Sequence, residues 1–269
     1  MIKTALITGA SQGIGAAFAR LLGEQGYNLI LLSQNKVLLE ALAREIERDW
    51  GVTVSIEILD LSDTLQRRKT IEKILDHHTV DVLINNAGFG LSGSFIDTSL
   101  DYELGMIEVH VAATTEVTKL VLKQMKGHHK GHIINVASTA AFQPGPFMAV
   151  YYATKAYILS FSEALAEELK KSGISVTALC PGPTKTGFAT RAHMLQTNLF
   201  TRHRLMSAEL VALIGYRGML NGKRVVVPGT LNTIGSLATR IVPRPWVFRI
   251  MRGVHSRSPR RTAKNAPHS

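Results

Sequence analysis

This chain has a single cysteine, no long apolar run, and no acidic residue in its last 60 positions. Cys180 is the only cysteine among the 269 residues, so no internal disulfide can form and a disulfide-stabilised secreted fold is excluded. There is no run of about 18 uncharged apolar residues, so the sequence predicts no membrane-spanning helix. The first residues also lack a basic leader followed by an apolar run, so we expect no signal peptide and a cytoplasmic location.

Acidic residues stop at Glu209. Eleven of the 31 Lys and Arg residues follow it, which leaves 20 basic against 20 acidic side chains in the first 209 residues. The net charge of +11 therefore belongs entirely to the last 60 residues. Hydrophobic residues make up 45% of the chain, which is typical of a packed protein and excludes a wholly disordered one.

Apolar, β-rich runs alternate with amphipathic stretches of helical length. The predicted strands are Thr4–Thr8, Tyr27–Leu32, Val52–Ile58, Val80–Asn85, His132–Val136, Ile174–Cys180 and Val225–Val227. The predicted helices are Ile14–Gln25, Val37–Trp50, Thr64–His77, Leu100–Lys126 with a break near Gly105, and Tyr151–Lys171. This alternation predicts a Rossmann-type α/β fold, a doubly wound parallel sheet of about seven strands with helices on both faces. Ligands of such sheets bind beyond the carboxyl ends of the strands.

A glycine-rich turn follows the first predicted strand. It reads Thr8, Gly9, Ala10, Ser11, Gln12, Gly13, Ile14, Gly15, in the spacing T-G-x-x-x-G-x-G. Glycines at such a turn let a pyrophosphate approach backbone N–H groups at the start of the next helix, where the helix dipole favours an anion. The turn therefore predicts a dinucleotide-binding site, although a glycine turn alone would be a weak indication.

Three further segments follow later strands in order, so that the chain from Ile2 to Gly229 resembles the short-chain dehydrogenases/reductases. The matching residues are Asp60 and Leu61 after the third strand, Asn85, Asn86, Ala87 and Gly88 after the fourth, and Pro181, Gly182 and Thr186 after the sixth. The resemblance implies an NAD(P)-dependent oxidoreductase. It also implies that Asp60 lies near the adenine and that Thr186 meets the nicotinamide amide.

The end of the second strand bears on the choice between the two nicotinamide dinucleotides. A carboxylate there would bind the ribose 2′-hydroxyl of NAD and repel the 2′-phosphate of NADP. The chain instead has Ser33, Gln34, Asn35 and Lys36, which offer hydrogen bonds and a positive charge. We expect NADP(H) to be preferred and NAD(H) not to be excluded, since Gln34 stands where many NADP-using relatives have arginine.

Ser138, Tyr151 and Lys155 form the candidate catalytic group. Tyr151 and Lys155 are four positions apart in a predicted helix and so share one face. A phenol has an ordinary pKa of about 10, which a nearby ammonium and the positive nicotinamide of the oxidised complex would lower. Tyr151 would then act as general acid or base on a carbonyl or alcohol, and Ser138 would hydrogen-bond the same oxygen. The resemblance adds that Lys155 holds the ribose hydroxyls.

His110 departs from the family pattern, which usually has asparagine at this position. That asparagine commonly holds a water linked to the catalytic lysine. An imidazole can also donate and accept, so His110 is either part of a proton relay or a residue that only fills space. No metal is predicted, because His128, His129 and His132 surround a Gly/Lys-rich turn without acidic or cysteine ligands in suitable spacing.

The loops expected to hold the substrate are apolar. They are Phe89–Phe95, Ala140–Val150 and Phe188–Phe200, and they favour a hydrophobic carbonyl or secondary alcohol. A non-catalytic dinucleotide-binding regulator or scaffold is the alternative, supported only by the histidine at position 110. A sugar-nucleotide epimerase is disfavoured, because the chain has no substantial C-terminal substrate domain.

The C-terminal part divides the chain into three predicted units. Residues 1–229 form the dinucleotide-binding and catalytic domain, 230–255 an amphipathic basic extension, and 256–269 a disordered tail. The extension could lie on anionic lipid at the inner membrane face, or pack on its own domain or on a partner subunit. Nucleic-acid binding lacks an accompanying motif. The family resemblance implies homo-oligomers formed through the helices Leu100–Lys126 and Tyr151–Lys171.

Overall fold

A computed structural model describes residues 2–192, 205–239 and 241–255 of the chain. Its strands are β1 Thr4–Thr8, β2 Asn28–Ser33, β3 Val54–Ile58, β4 Val82–Asn85, β5 Gly131–Val136, β6 Ile174–Leu179, β7 Thr184–Lys185, β8 Met206–Ser207 and β9 Val225–Val226. Its α-helices are α1 Gly13–Glu24, α2 Lys36–Trp50, α3 Thr64–His77, α4 Leu100–Ile107, α5 Thr114–His128, α6 Ala149–Glu168, α7 Phe188–Arg191, α8 Ala208–Leu220, α9 Thr230–Ala238 and α10 Arg244–His255. A π-helix spans Glu108–Ala113, and a 3₁₀-helix spans Thr139–Phe142. The predicted tail, 256–269, and Arg240 lie outside the described residues.

Seven strands form one parallel sheet in the order β3-β2-β1-β4-β5-β6-β9. The order reverses direction between β1 and β4, so the carboxyl ends of these two strands border a crevice in which such sheets bind ligands. The predicted Rossmann-type doubly wound sheet is confirmed. The strands β7 and β8 form a separate parallel pair that the sequence did not predict.

Both faces of the sheet are covered, which explains why its strands are nearly continuous apolar runs. One core lies beneath α1, α2 and α8, where Phe18, Leu22 and Ile46 are fully buried. The second lies beneath α3, α5 and α6, where Ile71 and Val121 are fully buried. Burial from both sides fixes the strands and leaves their carboxyl-end loops to carry polar chemistry.

The long predicted helix 100–126 is interrupted near Gly105, three residues after it. Gly105 lies inside α4, and the interruption is the π-helix that begins at Glu108. π-Helical turns are rare and often occur at functional sites. Here the π-helix carries the buried residues Val109, His110 and Ala113, so the irregular segment faces the interior.

Helix α8 was absent from the sequence prediction, and two glycines explain why. Gly215 and Gly218 weaken a helical pattern, but here they allow close contact. A Cβ on Gly215 would lie 2.8 Å from Leu179 Cδ2, and one on Gly218 would lie 2.3 Å from Val226 Cγ2. Ser207 precedes the first residue of the helix and caps it, since its hydroxyl accepts the Leu210 N–H at 3.2 Å.

The extension contains two helices, α9 and α10, separated around Pro243. Val247 and Met251 of α10 are buried in a cluster with Ala140, Met148 and Tyr152, so one face of α10 packs on its own domain. None of the described helices is long and apolar enough to cross a membrane.

Candidate active site

The glycine turn packs against the start of the loop after β4. Gly9 and Gly13 have φ angles of +64° and +59°, a left-handed conformation that favours glycine. A Cβ on Gly9 would lie 2.7 Å from Ala87 Cα, and one on Gly15 would lie 2.3 Å from Gly9 O. The glycine turn, the start of α1 and the loop after β4 therefore approach each other so closely that no Cβ atom fits between their backbones.

Thr8 and Asn86 hold this junction together. Thr8 Oγ1 accepts the backbone N–H groups of Asn86 and Ala87 at 3.0 and 3.1 Å. The Asn86 side-chain amide donates to the carbonyls of Thr8 and Gly9 at 3.1 and 3.0 Å. Helix α1 begins directly after the turn and has no acidic residue in its first turn. Its N-terminus is therefore positioned to bind an anion.

Ser33 and Gln34 line the cavity beside the glycine turn. The Ser33 hydroxyl donates to Ser11 Oγ at 2.9 Å. Gln34 hydrogen-bonds to Asp60. Burial favours a higher pKa for Asp60, but hydrogen bonds from Ser62 and Gln34 outweigh it and lower the pKa below its usual value. Asp60, which also lines the cavity, is therefore a carboxylate at neutral pH.

Asn35 and Lys36, which the sequence also assigned to the cofactor, do not line the cavity. Asn35 caps α2, with its Oδ1 accepting the Leu38 N–H at 3.0 Å. Lys36 is exposed, and its Nζ lies 3.7 Å from Glu40. Each side chain thus has a local partner in α2, and of the four residues predicted at this strand end only Ser33 and Gln34 line the cavity.

Ser138, Tyr151 and Lys155 come together in the lining of the same cavity. Ser138 hydrogen-bonds to Tyr151, and its Oγ accepts the Ala140 N–H at 3.1 Å. Lys155 Nζ donates to Val136 O at 2.9 Å and lies 5.7 Å from the centre of the Tyr151 ring. The end of β5 and one face of α6 thus place a hydroxyl, a phenol and an amine around one point.

Burial dominates the protonation of this group. It raises the pKa of Tyr151 to about 12, while the hydrogen bond with Ser138 acts in the opposite direction. It lowers the pKa of Lys155 to about 8, so the amine is still mostly protonated at neutral pH. From the sequence, we expect the pKa of Tyr151 to be lower in the oxidised complex. In the protein alone the phenol keeps its proton, which is the form that donates to a carbonyl.

His110 is fully buried, and both of its ring nitrogens have partners. Nε2 accepts the Phe89 N–H at 3.0 Å, so the proton of the neutral ring is on Nδ1. Nδ1 lies 2.8 Å from Thr154 Oγ1, which itself donates to Tyr151 O at 2.8 Å. Burial, with a smaller effect of Lys155, holds the pKa of His110 well below its usual value. His110 thus bridges the loop after β4 and the helix of Tyr151 as a neutral ring.

Arg67 was not predicted from the sequence, yet it supports the loop after β3, which lines the cavity. Its guanidinium is 2% exposed and pairs with Glu108 at 2.9 Å and Glu116 at 2.7 Å. It also donates to Leu61 O, and Leu61 lines the cavity. Nothing in the local sequence of α3 distinguishes a buried arginine from the exposed ones beside it. The signal is therefore only visible in three dimensions.

One cavity of about 890 Å³ connects these groups. Of the predicted site residues, those that line it are Gly9, Ser11, Gly13, Ile14, Ser33, Gln34, Asp60, Leu61, Asn86, Ala87, Gly88, Ser138, Tyr151, Lys155, Pro181, Gly182 and Thr186. Thr8, Gly15, Asn35, Lys36 and His110 lie behind or beside this lining.

The loops assigned to the substrate contribute Phe89, Met148 and Phe188 to the same cavity. Met194 and Leu195 fall outside the described residues. The sequence did not assign the extension to the site, but α9 and α10 line the cavity through Leu231, Ile250 and other residues. Among the described residues, no group of three His, Cys, Asp or Glu side chains is placed to hold a metal ion.

Comparison with known proteins identifies the family. A model of the short chain dehydrogenase family matches residues 3–195, and the protein therefore belongs to this family. A very-long-chain 3-oxoacyl-CoA reductase from Coprinopsis cinerea is 37% identical over 175 residues, which cover 64% of this chain and 52% of that enzyme. The chain thus spans about half the length of this relative.

Two solved structures cover nearly the whole chain. A short-chain dehydrogenase from Sphingobium yanoikuyae in complex with NADPH is 28% identical with a TM-score of 0.81, and the match covers 98% of this chain and 99% of that one. A bulky-bulky ketone specific alcohol dehydrogenase from Comamonas testosteroni is also 28% identical, with a TM-score of 0.77 and coverage of 95% and 97%.

Proposed function

We propose that this protein is an NADP(H)-preferring oxidoreductase that interconverts a hydrophobic carbonyl compound and a secondary alcohol. The observation that carries the proposal is the shared cavity. Both the glycine turn and the group of Ser138, Tyr151 and Lys155 line it. A non-catalytic dinucleotide-binding protein would not need all three of these groups around one point.

The residues present fit a nicotinamide dinucleotide. Gly9, Gly13 and the N-terminus of α1 offer backbone N–H groups to the pyrophosphate. Asp60 would take the adenine side, and Thr186 the nicotinamide amide. Ser33 and Gln34 present no negative charge to a 2′-phosphate, which favours NADP(H) over NAD(H). When bound, the dinucleotide supplies or accepts the hydride.

The chain's own residues handle the proton. In the reductive direction, the protonated Tyr151 donates to the carbonyl oxygen, and Ser138 hydrogen-bonds the same oxygen and holds it in place. The ammonium of Lys155, 5.7 Å from the Tyr151 ring centre, stabilises the phenolate that remains. In the oxidative direction the same groups act in reverse order.

The walls around Tyr151 favour an apolar substrate. Phe89, Met148 and Phe188 line the cavity there, together with Val247 and Met251 of α10. The comparison proteins support this class, since one is named for long-chain 3-oxoacyl-CoA reduction and another for bulky ketones.

We place the protein in the cytoplasm, since its one cysteine is buried and unpaired. It would self-associate through the helices 100–126 and 151–171, where Leu104 and Ile107 are exposed.

A substrate screen tests the proposal. Purified protein is mixed with NADPH or NADH and a panel of aldehydes and ketones of increasing apolar bulk, and the nicotinamide absorbance is followed. We expect turnover of apolar ketones with NADPH, and weaker activity with NADH. Tight NADPH binding without turnover of any carbonyl or alcohol would favour the non-catalytic alternative. Equal or tighter NADH binding in a calorimetric titration would contradict the cofactor preference.

A further inference from the structure

The helices α9 and α10 expose apolar side chains that packing on the domain does not use. Val247 and Met251 on one side of α10 are buried, but six other large apolar residues of the segment are more than half exposed. They are Leu231, Ile234, Leu237, Ile241, Trp246 and Ile250, and we call them the apolar rim. Leu231 and Ile241 are 83% and 85% exposed, so the rim is an apolar surface that faces solvent.

The rim borders the mouth of the active-site cavity. Leu231 and Ile250 are more than half exposed, and both also line the cavity. A side chain that contacts both solvent and the cavity must lie at its opening. One opening of the cavity is therefore bordered by apolar side chains.

The charges on the same segment have one sign. Arg244, Arg249 and Arg252 of α10 are exposed, and no acidic residue follows Glu209. The ion pairs formed by the described residues do not include these three arginines. A symmetric contact between two copies would bring these like charges together at a cost. An anionic surface would neutralise them.

We propose that the apolar rim and these arginines dock on the surface of an anionic lipid bilayer, and that the cavity takes its apolar substrate from that bilayer. Exposed leucine, isoleucine and tryptophan side chains enter the headgroup boundary, while arginines bind the lipid phosphates. The second half of the statement rests on the proposed function. The docking itself does not, and it is measured without turnover.

The first test is co-sedimentation of the full chain with vesicles. Phosphatidylcholine vesicles are compared with vesicles that also contain phosphatidylglycerol, at low and high salt. We expect binding only to the anionic vesicles and weaker binding at high salt, because exposed charges are screened within about 10 Å at 0.1 M ionic strength. Replacing Arg249 and Arg252 with glutamine should weaken binding by roughly five-fold for each arginine.

A matched pair of variants tests the rim. Trp246→Asp combined with Ile241→Asp should abolish vesicle binding, whereas Leu65→Asp, at an exposed position of α3, should not. Neither Trp246 nor Ile241 lines the cavity, so NADPH affinity and turnover of a water-soluble ketone should persist and show that the variants fold. Trp246 is one of only two tryptophans. In a Trp50→Phe background its fluorescence should shift to shorter wavelength on anionic vesicles.

Three results would overturn the docking proposal. The first is binding that ignores lipid charge and salt. The second is unchanged vesicle binding in the Trp246/Ile241 variant. The third is a wild-type dimer that ignores vesicles and becomes a monomer in that variant, measured by light scattering, which would make the rim a contact between copies. Vesicle binding without any carbonyl turnover would instead retain the docking and refute the proposed function.

Discussion

Replacing His110 with leucine would remove the hydrogen bonds that link α6, the helix of Tyr151, to the loop after β4. The wild-type ring accepts the Phe89 N–H at 3.0 Å and contacts Thr154 Oγ1 at 2.8 Å. Thr154 in turn donates to the Tyr151 carbonyl. Leucine fills a similar volume but offers neither nitrogen, so the change isolates the hydrogen bonds from the packing.

The expected loss of stability follows from the two bonds. An orphaned buried amide costs about 1–3 kcal/mol, and the lost bond to Thr154 adds about 1 kcal/mol. We therefore expect the free energy of unfolding to fall by about 2–4 kcal/mol, which is less than the typical total of about 5–15 kcal/mol. The variant should fold, bind NADPH and show a lower kcat, because the backbone of Tyr151 loses its link to the loop. Asparagine at this position should restore part of the kcat.

The pH dependence of unfolding gives a second readout. The pKa of His110 is held well below its usual value, so below about pH 6.5 the unfolded chain binds a proton that the folded chain does not. The free energy of unfolding should therefore fall as the pH decreases from about 6.5, by up to about 1.4 kcal/mol per pH unit. His110→Leu should flatten this decrease.

His132 provides the matched control for this experiment. Burial also lowers its pKa, so it contributes to the same pH window, but its Nδ1 contacts Ser175, away from the cavity. His132→Asn should change the pH profile and leave kcat unchanged. Denaturant titrations between pH 5 and 8 measure both variants. A His110→Leu protein with wild-type stability, pH profile and kcat would refute the bridging role.

Two substitutions test the residues proposed to bind the dinucleotide, Ser33 and Gly15. Ser33→Asp should lower NADPH affinity at least about tenfold and shift the preference toward NADH, because a carboxylate beside Ser11 repels a 2′-phosphate; Ser33→Asn, measured in the same calorimetric titration, should keep the preference. Gly15→Ala should lower the free energy of unfolding by about 1–3 kcal/mol and impair NADPH binding, since its Cβ would lie 2.3 Å from Gly9 O. A Cβ at Gly127, an exposed position near the end of α5, meets nothing within 4 Å, so Gly127→Ala should be neutral or stabilising; an equal loss in both alanine variants would contradict the argument for a tight turn.

The sheet could be predicted from the sequence because its strands are buried on both faces. The apolar runs of β1 and β4 have no polar alternation that would allow another assignment, and the predicted starts of the sheet strands lie within two residues of those observed. The glycine turn and the i, i+4 pair of Tyr151 and Lys155 are local patterns. The structure places them on one cavity, as the order of the motifs implied.

The remaining features depend on contacts between distant residues. Gly215 and Gly218 conceal α8 in the sequence, because only the neighbouring Leu179 and Val226 show why glycine is needed. The partners of His110 lie 21 and 44 positions away. Arg67 meets Glu116 49 positions away. A single sequence gives charge and periodicity, but not which of these side chains is buried.

The pair Tyr151→Phe and Tyr152→Phe tests the central claim most directly. Both tyrosines line the cavity on the same helix, and the proposal assigns the proton transfer to Tyr151, which is hydrogen-bonded to Ser138. The measurement is kcat for an apolar ketone with NADPH, together with NADPH affinity by calorimetry. We predict that Tyr151→Phe loses turnover and keeps nearly normal NADPH affinity, while Tyr152→Phe retains most of its turnover. An active Tyr151→Phe enzyme, or an inactive Tyr152→Phe enzyme that still binds NADPH, would contradict the assignment of Tyr151 as the proton donor.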